Sequence, residues 1–486
     1  MEKALSNRKE THKRPSAPVA VLSLAVIVAS IVVSLRLNFG TQMAVFTGAT
    51  VAVAVALLLR TDWEEIQKQS MENLANCGIP LVILILVGIM VGVWMIGGTL
   101  PSLIYYGLEF ISPSAIVPLT FLLCAVTSVF TGTSFGSIAT MGLAMYGIGI
   151  NMGIPGVVIA GAVVSGSYFG DKMSPMSDTT NVAPAMAGTD LYSHISSMMY
   201  TTVPATLVTL ILYILIGLRY SGGGYDATSI TLMQETLAAN FNISIVCFIP
   251  LAMVLILSAL KVPSILAMGS SAIASVIVAV VTQGVPVDSV MGAALSGYTS
   301  QTGVAMVDTI LSRGGITSMA GTVAIIFFSS IMAGALKSSG VLDLFVELLL
   351  RIAKCTRSLV VTTLIFAWGI VMLTGNQMLG IIIPGKTMGD MYDRLDMDRK
   401  VLSRSLEDAA TIGSAIIPWS SAAAYITGVL GIGLGYIPFA LLCYIVPVFS
   451  ILCAMTGFGM WNAKGKAMWK KGKETSEKWN TAFQKK

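Results

Sequence analysis

The sequence predicts an all-α polytopic membrane protein made of two inverted-topology repeats. Three observations predict it: membrane-length apolar segments from end to end, charged residues set inside such segments, and landmarks that recur in order. Of 486 residues, 55% are hydrophobic and 11% charged, against roughly 25% charged in soluble domains. Runs of 18 or more apolar residues are long enough to cross the hydrocarbon core as helices. The net charge of +5 gathers at both ends of the chain and in the loops around 60–68 and 351–404. Cytoplasmic loops carry the basic excess, so both termini are expected there. With this hydropathy the basic tails do not read as nucleic-acid binding. The six cysteines form no C-x-x-C pair and read as packing residues. The first apolar run is too long for a signal peptide and reads as a span.

In order, a tail (1–16) precedes a first membrane repeat (17–218), with spans near 18–37, 39–59 and 77–97. A polar amphipathic stretch, 62–76, separates the second and third. A short amphipathic piece (100–111) leads to two apolar arms, 113–130 and 135–150, joined by the turn Thr131-Gly132-Thr133-Ser134. The interrupted element 155–190 and a span at 198–218 follow. A glycine-rich linker (219–240) opens the second repeat (241–456). Its spans lie near 241–260, 263–283 and 316–337, with a polar stretch, 288–313, between the last two. Then come an amphipathic piece (342–354), arms 358–373 and 377–390 about the turn Thr374-Gly375-Asn376-Gln377, the interrupted element 403–428, and a span near 436–456. Within the basic C-terminal tail (457–486), the run Trp461–Phe483, with Trp461, Met468, Trp469 and Trp479 among lysines, reads as an interfacial helix on an anionic leaflet.

Gly98 and Gly334, Gly132 and Gly375, and Asp171 and Asp408 stand 236, 243 and 237 residues apart, which suggests a duplicated unit. Basic loops flank the second pair of arms on both sides, so its base faces the cytoplasm. The first pair has no basic flank and faces outside. Each repeat is then about five spans plus a re-entrant hairpin. Irregular tips survive at membrane depth only where protein or a watery cavity surrounds them, so tips and discontinuous helices should meet at the midplane.

The stretch Ser165–Asn181 carries the chemistry. Asp171, Lys172 and Asp178 lie inside an apolar passage, where charge is costly and usually functional, and Gly170 and Pro175 interrupt the helix. A sodium ion stripped of water needs several oxygens and a carboxylate. Asp171, Ser177, Asp178, Thr179, Thr180 and Asn181 are the candidate ligands, with Asp178, Asp171 and Asn181 foremost and Asp178 first. The break should set one acid on the ion and the other on an access path. Lys172 either neutralises Asp171 or holds the site when the ion has left. The hairpin tips add Thr133, Ser134, Asn376 and Gln377. The second interrupted element adds Glu407, Asp408, Thr411, Ser414 and Ser420. Glu407 and Asp408 are adjacent, so only one can face a site, and Arg404, one turn earlier, can pair with Asp408. Asp308, Arg313 and His194 read as solvated. No cofactor is expected: no phosphate loop is present, and Gly431-Ile-Gly-Leu-Gly lacks a strand–turn–helix setting.

The run G-D-K-M-S-P-M-S-D-T-T-N at 170–181, with A-G-T-D at 187–190, closely resembles the signature of NhaC-type sodium/proton antiporters. Ile104-Tyr-Tyr-Gly, the M-V-D and L-S-R-G-G runs within 303–315, Ser405-Leu-Glu-Asp and Ile417-Pro-Trp extend the resemblance over about 60–456. It implies the ion transporter superfamily fold in a bacterial cytoplasmic membrane, usually as a homodimer. It also implies sodium or an organic acid or amino acid as substrate, since the family includes malate–lactate exchangers. Asn376 stands where relatives commonly carry an acid, Phe135 where they often have Trp, and Ser420 where Asn is usual. These departures weaken the case for a second cation site.

The expected function is secondary active sodium/proton exchange through a shared buried carboxylate. Coupled exchange of a small organic carboxylate or amino acid is the alternative. A channel or sensor fits the paired broken helices poorly. A hydrolase lacks both a nucleophile–base pair and an H-E-x-x-H run.

Overall fold

A computed structural model describes residues 15–468 except 38, 111, 176, 221–226, 261, 305–306, 309–310, 313, 343 and 346–354. Arg313, Trp469, Trp479 and most of the 342–354 piece therefore lie outside the described residues. The described chain is helical, with only two isolated bridges. The first half contains α1 (Ala17–Arg36), α2 (Thr41–Leu58), α3 (Trp63–Asn76), α4 (Gly78–Ile96), α5 (Thr99–Phe110), α6 (Pro113–Thr131), α7 (134–151, with a π-helical turn at Ile138–Gly142), α8 (Gly156–Met173), α9 (Asp178–Ala187) and α10 (Leu191–Leu218). The second contains α11 (Ala227–Asn240), α12 (Ile249–Ala259), α13 (Ser264–Thr282), α14 (Val287–Ser296), α15 (Ala320–Ser338), α16 (Thr356–Thr374), α17 (Gln377–Arg394), α18 (399–414, with a π-helical turn at Glu407–Thr411), α19 (Ser421–Leu430) and α20 (Leu441–Thr456).

Among the described residues seven helices are long and apolar enough to cross a bilayer, or nine if two bent pairs each count as one span. Their outward faces carry large apolar side chains, such as Leu207, Ile211 and Leu215 on α10 and Ile273 and Ile277 on α13. Lipid satisfies such faces, so helices associate through close packing rather than the hydrophobic effect. The α6–α8 crossing illustrates this. A Cβ on Gly166 or Gly170 would collide with Phe121 or Ser128 of α6. Their absence lets Ser128 donate to the Ser167 carbonyl at 2.5 Å.

Each hairpin turns at a glycine in the left-handed region, Gly132 (φ 68) and Gly375 (φ 67), where side chains are disfavoured. The interior is two apolar clusters. One centres on α4, α6, α8 and α12–α14; the other on α1, α2 and α15–α17 with most of α18.

Element boundaries recur at one displacement. Pro113 and Thr356, Ser134 and Gln377, Gly156 and Arg399, Asp178 and Ser421, and Ala187 and Leu430 each stand 243 residues apart. Two of the expected landmark pairs are therefore corrected. Gly98 is a turn residue (φ 77) whereas Gly334 is inside α15, packed on Ser70; the turn glycine at the shared displacement from Gly97 is Gly340. Asp171 corresponds to Ser414, not to Asp408. In both cases a like residue nearby in sequence occupies a different step of the helix.

Three further expectations change. Most of the 219–240 linker is helix, since α11 occupies Ala227–Asn240 and meets the next helical segment at a 94° bend. Asp308 is not simply solvated. Its carboxylate accepts from the Thr302 amide and hydroxyl, the Ser300 hydroxyl and the Gly303 amide, and these bonds, the Thr302 amide foremost, hold it below the usual carboxylate range. The segment 457–468 is not an interfacial helix. It folds back through bridges Met397↔Asn462 and Trp461↔Ala467, with Trp461 against Tyr200 and under the Lys400 ammonium.

Candidate functional site

Both hairpin tips and the first interruption meet at one cavity of about 70 Å³, room for a few waters or a partly hydrated cation. Gly132, Thr133, Ser134 and Phe135 come from the first tip, and Asn376, Gln377 and Met378 from the second. Asp171, Asp178 and Thr179 come from either side of the α8–α9 break, and Cys77, Ile83 and Ser421 complete the wall.

The break exists because Pro175 follows the last turn of α8 and Ser177 restarts the chain as the N-cap position of α9. It turns the two acids apart. Asp171 is 5% exposed and accepts from Ser134 Oγ at 2.6 Å and Ser177 Oγ at 2.6 Å. Asp178 is exposed on the same cavity. A buried carboxylate held by two hydroxyls is the stronger anchor for a desolvated cation, and an exposed one suits an approach.

The remaining candidates divide. Ser177 also meets Thr179 Oγ1 at 3.0 Å. Thr180 caps the end of α8, donating to the Asp171 and Lys172 carbonyls at 2.9 and 3.0 Å. Asn181 is exposed, and its amide donates to the Pro175 and Ser177 carbonyls, closing the break. In the second unit Asn376 caps α17, accepting from Met378 N at 2.8 Å and donating to Cys77 Sγ at 3.1 Å. Ser414 donates to Gln377 Oε1 at 2.8 Å, and Ser420 donates to the Ser414 carbonyl at 2.6 Å while capping Ala423 N. Glu407, Asp408, Thr411, Ser414 and Ser420 are all fully buried behind the cavity wall.

Lys172 does not pair with Asp171. Its Nζ lies 2.5 Å from Asp408 Oδ1 and 2.8 Å from Thr202 Oγ1. Arg404 does approach Asp408, Nε to Oδ2 at 3.9 Å, and its Nη1 donates to the Gly459 carbonyl at 2.7 Å. Glu407 makes no hydrogen bond. His194 is buried rather than solvated, with Nδ1 2.8 Å from Ser403 Oγ.

Cys77 and Ser421 were not among the expected site residues. Ser421 had a signal, its 243-residue displacement from Asp178. Cys77, an isolated cysteine before a helix, had none. Among the described residues no three His, Cys, Asp or Glu side chains converge on a metal. The carboxylates and hydroxyls on the wall suit a hard cation.

A polytopic helical chain with interrupted helices around a buried acid is the architecture of a secondary transporter. The comparisons agree with that class. The profile of the Na+/H+ antiporter family matches residues 166–458. The chain is 35% identical to the malate-2H(+)/Na(+)-lactate antiporter of Bacillus subtilis, over 88% of this chain and 92% of that one. It is 34% identical to the Na(+)/H(+) antiporter NhaC of Alkalihalophilus pseudofirmus, over 92% and 97%, and 30% identical to the arginine/ornithine antiporter ArcD of Halobacterium salinarum, over 93% and 94%. The chain belongs to the Na+/H+ antiporter family, a family of secondary transporters.

Proposed function

We propose that the protein exchanges sodium for protons across a bacterial cytoplasmic membrane, with Asp171 as the carboxylate the two cations share. The observation that carries the reading is the Asp171 carboxylate, buried on the cavity wall between the hydroxyls of Ser134 and Ser177. An ionised acid there is costly without a counter-charge, so a proton or a sodium ion compensates it, one excluding the other. Ser134 and Ser177 oxygens keep lone pairs for a cation, and Asp178 draws cations towards the cavity. Alternating exposure of the occupied site then yields exchange. The reading takes the two units as inverted repeats, 17–218 and 241–456, with re-entrant hairpins, cytoplasmic termini and a homodimeric assembly. In proteoliposomes, sodium should dissipate an imposed pH gradient, and Asp171→Asn should abolish that response. Wild-type exchange by the variant would overturn the assignment.

A second reading adds an organic solute, favoured by the opposite wall of the same cavity. There the N-terminus of α17, capped by Asn376, presents the Gln377 amide, a neutral donor surface fit for a solute carboxylate. Counterflow of labelled malate, lactate or arginine under a sodium gradient would select it; sodium/proton exchange indifferent to all three would exclude it.

A further inference from the structure

Lys172 adjoins Asp171 in the chain, and both are buried within a helix turn of the cavity. Adjacent residues of a helix do not face each other, but Glu407 feels the charges of both Lys172 and Asp171, so an unbalanced ammonium at Lys172 would act within electrostatic reach of a cation on Asp171. In a weakly polar interior, such repulsion weakens monovalent cation binding about tenfold or more. The structure supplies a counter-charge from the other half of the chain. Asp408, absent from the cavity wall, sits on the Lys172 ammonium at 2.5 Å and accepts from Thr201 Oγ1 at 3.1 Å. Thr202 takes a second ammonium proton. Arg404 Nε stands 3.9 Å from the far oxygen of Asp408, an ion-pair approach without a hydrogen bond. Glu407 is also in electrostatic reach of Lys172, and its carboxylate oxygens meet no hydrogen-bond donor.

We propose that Asp408 is a positioning residue for the cation site: by neutralising Lys172 it lets sodium meet Asp171 without the neighbouring ammonium's repulsion. This assigns Asp408 a role distinct from ion ligation, and explains why a carboxylate lies deep in the second unit yet away from the cavity. The proposal rests on the sodium reading of Asp171.

Equilibrium binding of ²²Na⁺ to the purified full-length protein tests it without requiring transport. Asp408→Asn should weaken sodium binding about tenfold or more. Adding Lys172→Gln to that variant should restore Kd to within about threefold of wild type, a rescue that a purely structural tie would not give. Lys172→Gln alone should leave binding unchanged or tighter. Wild-type Kd in Asp408→Asn, including through Glu407 taking up the ammonium, overturns the proposal, as does a double variant as weak as the single one. Should Asp408→Asn elute as aggregate on size exclusion, the double variant decides: a Kd near wild type supports the proposal, and one more than about tenfold weaker overturns it. A wild-type protein that binds no sodium sinks the sodium reading and this proposal together, whereas sodium binding indifferent to Asp408 sinks the proposal alone.

Discussion

In the first unit, the side chain tying the hairpin tip to the interruption is Asp171, bonded to Ser134 and Ser177; in the second it is Ser414. Ser414 bonds Gln377 through its side chain and Ser420 through its carbonyl. The spacings match: 37 residues from tip to tie in both units, and 6 from tie to restart. Even the anchoring carbonyls correspond, Val129 accepting from Ser174 in one and Met372 from Trp419 in the other. A neutral residue thus suffices for the frame. The charge at Asp171 is extra, and it is there that function should reside.

The largest expected effect sets Asp171 against its counterpart. Asp171→Asn should reduce sodium-driven proton flux to the level of empty liposomes. Ser414→Ala, losing neutral hydrogen bonds of about 0.5–1.5 kcal/mol each, should stay within roughly tenfold of wild type. Comparable loss in both would mean that the frame, not the charge, is limiting. Next come the tips. Ser134→Ala removes a bond to a charged group, about 1.5–3 kcal/mol, and should raise the KM for sodium about tenfold or more. Gln377→Ala should move that KM less than about threefold. A smaller contrast concerns packing. Gly170→Ala drives a methyl into Ser128 and the Val129 backbone, whereas Gly413→Ala meets the Trp368 ring, which is 45% exposed and free to turn. Overpacking of about 1–3 kcal/mol should therefore lower the Tm in detergent for Gly170→Ala and lower it less for Gly413→Ala. Smallest is Cys77→Ser, expected to change flux under about threefold (no principle of the site depends on its sulfur). A cationic thiol reagent should nevertheless inhibit wild type and spare this variant, because Cys77 lines the cavity.

Local grammar made much of the architecture legible. Thr-Gly turns between apolar arms announced both tips, and glycine and proline beside acids announced the interruptions, because backbone freedom and a missing amide act within a few residues. What escaped was long-range or rotational. A seven-residue spacing between Asp171 and Asp178 does not reveal that Ser177 folds back onto Asp171. The partner of Lys172 lies 236 residues away and could not be read from its neighbours. His194, beside polar residues, resembled a surface histidine until α18 closed over it. The C-terminal tryptophan and lysines suggested a membrane-surface helix, but Lys400 and Tyr200 offered Trp461 a protein surface instead.

The Arg404 guanidinium, fully enclosed, takes its 2.7 Å acceptor from Gly459, a residue translated long after the helix it steadies. During biogenesis a segment made well after α18 thus completes a contact at the heart of the chain. A product terminated ahead of Gly459 would retain the spans found among the described residues yet leave a cation short of an acceptor. Such a truncated product should be recognised by membrane proteases.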